Sequence, residues 1–245
     1  MIEFRDATVV APGLDGDTTI LHPTILTLRE QRVSVIGGNG SGKSTLARLI
    51  NGLVEPTAGA VRVGGSAGAG AAPAAATPDQ LLDTRQDGPA VRRTVGFVFT
   101  DPAAQLIMPT VIEDVALSLR RTHRVKSERQ AAALEVLGRF GLAALADRSV
   151  HTLSGGQKQL LAIATVLASD PAILVADEPT TLLDLRNARR IGDLLMSLPQ
   201  QVLTVTHDLD LAARADRTLV VEAGRVVFDG TPADAIAHYR ERALR

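Results

Sequence analysis

The chain has 245 residues, 45% of them hydrophobic but only 2% aromatic, so its core must be built from Leu, Val, Ile and Ala. Lys+Arg number 26 and Asp+Glu 27, a net charge of −1, without the basic excess expected of a nucleic-acid-binding protein. The absence of Cys excludes disulfides and thiolate-zinc sites, and the chain has neither a signal pattern at MIEFRDATVV nor any run near the roughly 20 apolar residues that cross a bilayer; a soluble chain in a reducing compartment is expected, one that another chain must hold if it works at a membrane.

Ile2 to Val10 reads as an edge strand, followed by a turn at PGLDGD (12–17). Ile25 to Leu28 and Val33 to Ile36 are short apolar runs, the second leading into a glycine cluster, after which Ser44 to Ile50 has helical spacing and stops at Asn51-Gly52. Val61 to Val63 is a short strand; GGSAGAGAAPAAAT (64–77) is a low-complexity loop with no chemistry assigned; Val95 to Phe99 is a further strand. Thr110 to Leu119, Ser127 to Phe140 and Gln157 to Ala168 are amphipathic helix patterns. Ile173 to Ala176 is a continuous apolar run, as in a strand buried on both faces. Val202 to Thr206, Thr218 to Val221 and Val226 to Phe228 are the last strands, and the alternation of strands with helices implies a mainly parallel sheet.

Gly37-Gly38-Asn39-Gly40-Ser41-Gly42-Lys43-Ser44 fits G-x-x-x-x-G-K-[ST] between a strand and a helix. Phosphate oxygens need many donors in a tight shell; glycines let successive N–H groups point inward, and the helix adds its positive end. Lys43 is expected at the β- and γ-phosphates, Ser44 on Mg²⁺ and Thr45 at the α-phosphate, which makes ATP and Mg²⁺ the expected ligands. The strand Ile173 to Ala176 ends in Asp177-Glu178; a carboxylate there is costly without a task, and Asp177 is expected in the Mg²⁺ shell with Glu178 polarising the attacking water. Leu153-Ser154-Gly155-Gly156-Gln157 opens a helix with a good N-cap and two glycines, a second anion site. Two phosphate-binding ends and one full cradle suggest a head-to-tail dimer with ATP between the cradle of one subunit and the Ser-Gly-Gly turn of the other.

At LSGGQ the sequence resembles the ABC ATPase family, from Ile2 to about Asp229. The resemblance implies an α/β fold: a P-loop NTPase with a mainly parallel central sheet, an antiparallel β edge and an inserted α-helical subdomain. Its boundaries would be 1–105 and 170–245 for the core and about 106–169 for the helical part. It also implies a D-loop at Leu182-Leu183-Asp184 and a switch histidine at His207, in Thr-His-Asp after a strand. Two positions depart from the family. No aromatic stands near Ala11, where adenine is usually stacked, leaving Ala11 and Pro12 as apolar contacts; and the Q-loop position after Phe99 is Thr100, with a glutamine only at Gln105.

The stretch Phe97 to Gln105, then Met108-Pro109-Thr110-Val111, resembles the ATPases of energy-coupling-factor importers, which serve vitamin and transition-metal uptake. Thr100, together with an end at Arg245 soon after the last strands, is most similar to the biotin-transporter branch, with cobalt or nickel uptake as the rival. That resemblance implies a homodimer on the cytoplasmic face of a bacterial-type membrane, joined to a transmembrane coupling protein and a substrate-binding membrane subunit, with no nucleic acid bound. A soluble ABC ATPase of Fe–S cluster assembly is the alternative of another class.

Overall fold

The computed structural model describes residues 1–13, 16–64 and 81–243. Residues 65–77 of the expected low-complexity loop, and residues 14 and 15 of the expected turn, lie outside the described residues. Strands with alternating burial pair antiparallel: β1 (Ile2–Ala11), β2 (Thr18–Leu28), β4 (Ala58–Val63) and β5 (Leu82–Asp83) form one sheet in the order β2-β1-β4-β5. The runs buried along almost their whole length form the other: β3 (Arg32–Ile36), β6 (Val95–Val98), β7 (Ile173–Asp177) and β8 (Gln201–Val205), with β9 (Arg217–Glu222) and β10 (Arg225–Gly230), in the order β10-β9-β3-β8-β7-β6. Every pairing in this second sheet is parallel except the β9–β10 hairpin.

Two expectations are corrected here. β1 is not an edge strand; it pairs with β2 on one side and β4 on the other. Its alternating pattern is shared by edge and inner strands, so partners that come later in the chain decide its place. β2 starts at Thr18 rather than Ile25 and carries Pro23, which a strand tolerates at a sheet edge, where one row of N–H groups has no partner.

Helix α1 (Lys43–Asn51) buries Leu46, Ala47, Leu49 and Ile50 in a core shared by both sheets and ends at Gly52, whose left-handed φ of 72° lets its N–H close on Arg48 and Leu49 carbonyls. Helix α2 (Gly88–Thr94) precedes β6. Helices α3 (Val111–Ser118), α4 (Lys126–Arg139) and α5 (Gly155–Leu167) pack together through Val115, Leu137, Leu161 and Ile163, and the same cluster continues into Val98, Leu174 and Ala176 of the parallel sheet. Truncating a side chain as enclosed as Leu161 costs about 2–5 kcal/mol. α3 starts in a capping box, Thr110 with Glu113, and α5 in another, Ser154 with Gln157.

The sequence reading names no helix after β7, and the structure has three: α6 (Leu185–Ser197), α7 (Leu209–Ala212) and α8 (Pro232–Ala243). α6 has a clear N-cap, Asp184, and turns Ile191, Gly192 and Leu195 inward. Where α6 ends, the guanidinium of the buried Arg32 donates to the carbonyls of Met196, Leu198 and Gln200, satisfying groups that a helix end leaves open.

Candidate active site

Three adjacent parallel strands, β3, β8 and β7, are in register at Val35, Val205 and Asp177. Their C-terminal ends therefore deliver Gly37, His207 and Asp177-Glu178 to one edge of the sheet, the usual location of ligands in open α/β folds. The turn from Gly37 to Gly42 feeds α1. Gly42 has φ 101°, and a Cβ there would stand 3.0 Å from the carbonyl oxygen of Ile20, so both conformation and space call for glycine. That approach also sets the β1–β2 hairpin beside the turn; Ala11 ends β1 opposite Thr18 and no aromatic side chain stands at either position.

The ammonium of Lys43 is buried and donates to the carbonyls of Gly37 (2.8 Å) and Gly38 (2.7 Å). Burial pulls its pKa below the ordinary lysine value, against the opposing pull of the Glu178 and Asp177 carboxylates. Ser44 donates its hydroxyl to Asp177 Oδ1 at 2.9 Å, and Arg48, one turn further along α1, lies 3.7 Å from Asp177 Oδ2. Asp177 is 1% exposed, and burial pushes its carboxyl above the usual carboxylate range despite the Ser44 hydrogen bond and the Arg48 charge. The hydroxyl of Thr100 donates to the Asp177 carbonyl at 3.0 Å.

Glu178 takes a left-handed φ of 53° and its N–H donates to the Val205 carbonyl, turning the side chain across the end of β8. Its Oε2 accepts from Thr181 Oγ1 at 2.9 Å and lies 2.8 Å from His207 Nδ1. A carboxylate only accepts, so this geometry puts a proton on Nδ1 of the imidazole.

Lys43, Ser44, Thr100, Asp177, Glu178 and His207 thus form one connected site. Gln105 is turned away from it: its amide accepts from Phe99 N–H (3.2 Å) and donates to the Phe97 carbonyl (3.4 Å), bracing its own loop. Ser154 is elsewhere, capping α5 by accepting from Gln157 N–H at 3.3 Å. A Cβ on Gly156 would stand 2.6 Å from Asn187 Cγ, and Asn187 in turn donates both its backbone N–H and its amide to Asp184, each at 2.8 Å. Those donors hold the exposed Asp184 carboxyl below its ordinary pKa. Among the described residues, no hydrogen bond or ion pair joins Ser154–Gln157 to the turn from Gly37 to Thr45.

Sequence reasoning missed Arg48, Thr181 and Asn187. Arg48 was legible as the i+4 neighbour of Ser44 on one helix face. Thr181 and Asn187 carried only the weaker signal of a short polar side chain three residues after an acid.

A phosphate-binding turn at the end of a parallel strand, its lysine facing two acids on the neighbouring strand ends, defines a P-loop ATPase. The ABC transporter family profile matches residues 23–181. Over 242 residues the chain is 49% identical to an ABC transporter ATP-binding protein of Deinococcus radiodurans, covering 99% of this chain and 98% of that one. It is 43% identical, with 99% of both covered, to the biotin transport ATP-binding protein BioM of Rhizobium etli. Among solved structures it is similar to CbiO1 of Clostridium perfringens, part of the ABC transporter complex CbiONQ, at TM-score 0.77 and 28% identity over 99% of this chain and 93% of that one. It is also similar to a bacterial ABC transporter cassette solved as a dimer, at TM-score 0.79 and 31% identity over 95% and 99% of the two chains. The chain belongs to the ABC transporter family: it is an ATP-binding subunit that hydrolyses ATP to drive transport. No helix among the described residues is long and apolar enough to cross a membrane.

Proposed function

We propose that this ATPase energises an energy-coupling-factor importer, with biotin as cargo, and that it works as a head-to-tail homodimer enclosing two ATP molecules. The observation that carries the dimer is the separation of the two anion-binding ends: Lys43 and Ser44 lie with Asp177, whereas Ser154 caps α5 beside Leu182, Asp184 and Asn187. One chain then offers half of two sites. Leu182 and Leu185, 62% and 88% exposed, flank that second end and suit burial against another copy.

The turn from Gly37 to Gly42 and Lys43 bind the phosphates, with Thr45 at the α-phosphate. Ser44 and Asp177 offer hard oxygen donors of the kind Mg²⁺ takes and would hold it there. The chemistry the ion would supply is neutralisation of charge on the nucleotide phosphates. Glu178 orients and deprotonates water for in-line attack, and His207 holds Glu178 and reaches the γ-phosphate. Ser154 and Gly156 of the second copy complete the γ-phosphate shell, with Gly155 and Gln157 shaping that helix start and Asp184 crossing the seam. Thr100, rather than Gln105, takes the Q-loop role, a reading supported by its hydroxyl bond to the Asp177 backbone carbonyl and by the turn of Gln105 back onto β6. The loop and helix from Thr100 to Val111, with Ile107 71% exposed, receive the transmembrane coupling protein at the cytoplasmic face; a separate membrane subunit selects the cargo.

Similarity to BioM at 43% identity over nearly the whole chain supports biotin over the cobalt or nickel reading. The test is purification from membranes followed by uptake. Co-purifying membrane subunits and ATP-dependent uptake of labelled biotin are expected. Uptake of Co²⁺ or Ni²⁺ in its place would reassign the cargo, and an ATPase that leaves the membrane with no companion would remove the importer reading.

A further inference from the structure

The loop that follows β6 is anchored on two sides. Toward the sheet, Gln105 bonds to the backbone of Phe97 and Phe99, and Thr100 to that of Asp177. Toward the helices, three donors converge on Asp114, which is 1% exposed on α3. Its Oδ1 accepts the N–H groups of Ile107 (3.0 Å) and Met108 (3.1 Å), and its Oδ2 accepts the hydroxyl of Thr165 on α5 (3.1 Å). A carboxylate so enclosed is costly unless donors replace its water, and these three do so. The same turn is held a second time: Val150 N–H donates to the Pro109 carbonyl at 3.1 Å and Thr110 bridges Ser149, on the segment that runs through Leu153 to Ser154. Meanwhile the Ile107 side chain is 71% exposed. A buried anion therefore ties an exposed apolar turn to the helix that starts at Ser154.

We propose that Asp114 is a positioning residue that couples the Ile107–Met108 turn to α5 through Thr165, so that the turn and the Ser154 end move as one body when the nucleotide-bound dimer closes. This rests on the dimer reading above, because closure is what displaces α5. Asp114 touches no reacting atom; it acts through the two segments it joins. Thr165 is the informative end of the clamp. Thr165→Val cuts the link to α5 while Asp114 still accepts both amides. Thr165→Ser restores the hydroxyl, and Asp114→Asn keeps an acceptor for the amides and a polar contact to Thr165. Asp114→Ala removes both ends; if it does not fold, Thr165→Val carries the test alone.

The experiment uses the full chain carrying Glu178→Gln, with dimer formation followed by size exclusion and amide hydrogen exchange of residues 106–109 read with and without Mg–ATP. The parent is expected to dimerise with ATP and to change exchange at Ile107 and Met108. With Thr165→Val added, dimers form but the ATP-dependent change at those amides falls by about 2- to 30-fold, the range of coupling carried by single contacts; Thr165→Ser and Asp114→Asn retain it. With Glu178 intact, Thr165→Val lowers kcat and leaves KM for ATP unchanged while its thermal unfolding midpoint stays at the parent value, which separates the clamp from a loss of active enzyme through unfolding. A full ATP-dependent change in the Thr165→Val dimer overturns the clamp. Failure of the parent to dimerise with ATP instead removes the sandwich reading, and the clamp with it.

Discussion

His207 Nδ1 lies 2.8 Å from Glu178 Oε2, across the ends of two neighbouring parallel strands. The contact depends on backbone that other residues avoid: Glu178 sits at φ 53°, a conformation that costs about 1–3 kcal/mol and persists where surrounding structure enforces it. Here the enforcement is visible, since the Glu178 N–H is bonded to the Val205 carbonyl and its carboxylate to Thr181. If Glu178 is the base, Glu178→Gln lowers kcat by about 10²–10⁴-fold while ATP remains bound. Steady-state hydrolysis with a parallel nucleotide-retention assay measures both; normal turnover removes the assignment.

Lys43→Ala deletes the charged donor of the phosphate turn. Hydrogen bonds to charged groups contribute about 1.5–3 kcal/mol, so ATP affinity is expected to fall about 10- to 150-fold. In the nucleotide-free chain the variant also takes a donor from the Gly37 and Gly38 carbonyls, so any folding cost must be read apart from the binding loss. Calorimetric titration with ATP alongside thermal unfolding separates the two effects.

Asp177 gives a pH dependence with a defined sign. Its carboxyl titrates above the ordinary value of 3.8, so the ionised form is held at a cost in the folded chain. Above the folded pKa that cost is fully present; as pH falls through it toward 3.8 the cost is relieved, because the group protonates in the folded state first. Asp177→Asn is therefore expected to make the nucleotide-free protein more stable to urea at neutral pH, with the gain shrinking on acidification, while hydrolysis is lost. A gain that grows as pH falls contradicts the raised pKa.

Gly156→Ala places a methyl group 2.6 Å from Asn187 Cγ, and Asn187 cannot yield easily while both its donors hold Asp184. Both positions are only partly buried, so the cost is expected at or below the lower end of the about 1–3 kcal/mol of core overpacking, met by breaking the Asn187–Asp184 bonds. Asn187→Ala in the same chain vacates the space and is expected to recover most of that loss, a coupling that unfolding of the two single variants and the double variant measures. Strict additivity would mean that the two residues do not press on each other.

Much of the site was legible in order along the chain, because its parts are local. A strand, a glycine turn and a helix in succession set Lys43 and Ser44; a buried apolar run ending in two acids set Asp177 and Glu178; an N-cap type with two glycines set Ser154. Each depends on the chemistry of a few neighbouring residues. Of the helices after β7, α7 has only four residues, Leu209–Ala212, too few to show a helical period.

Only the tertiary structure decided which distant pieces meet. Strand order β3-β8-β7 brings Gly37, His207 and Glu178 to one edge, although β8 follows β7 in the chain. It brings the Thr100 hydroxyl to the Asp177 backbone carbonyl and turns Gln105 back on β6, contacts between distant positions that sequence order does not show. It places β1 between two strands that follow it, and gathers Ile107, Met108 and Thr165 around Asp114. Local propensity fixes elements through neighbours, but which buried donors find which acceptor is set by the whole packed chain at once.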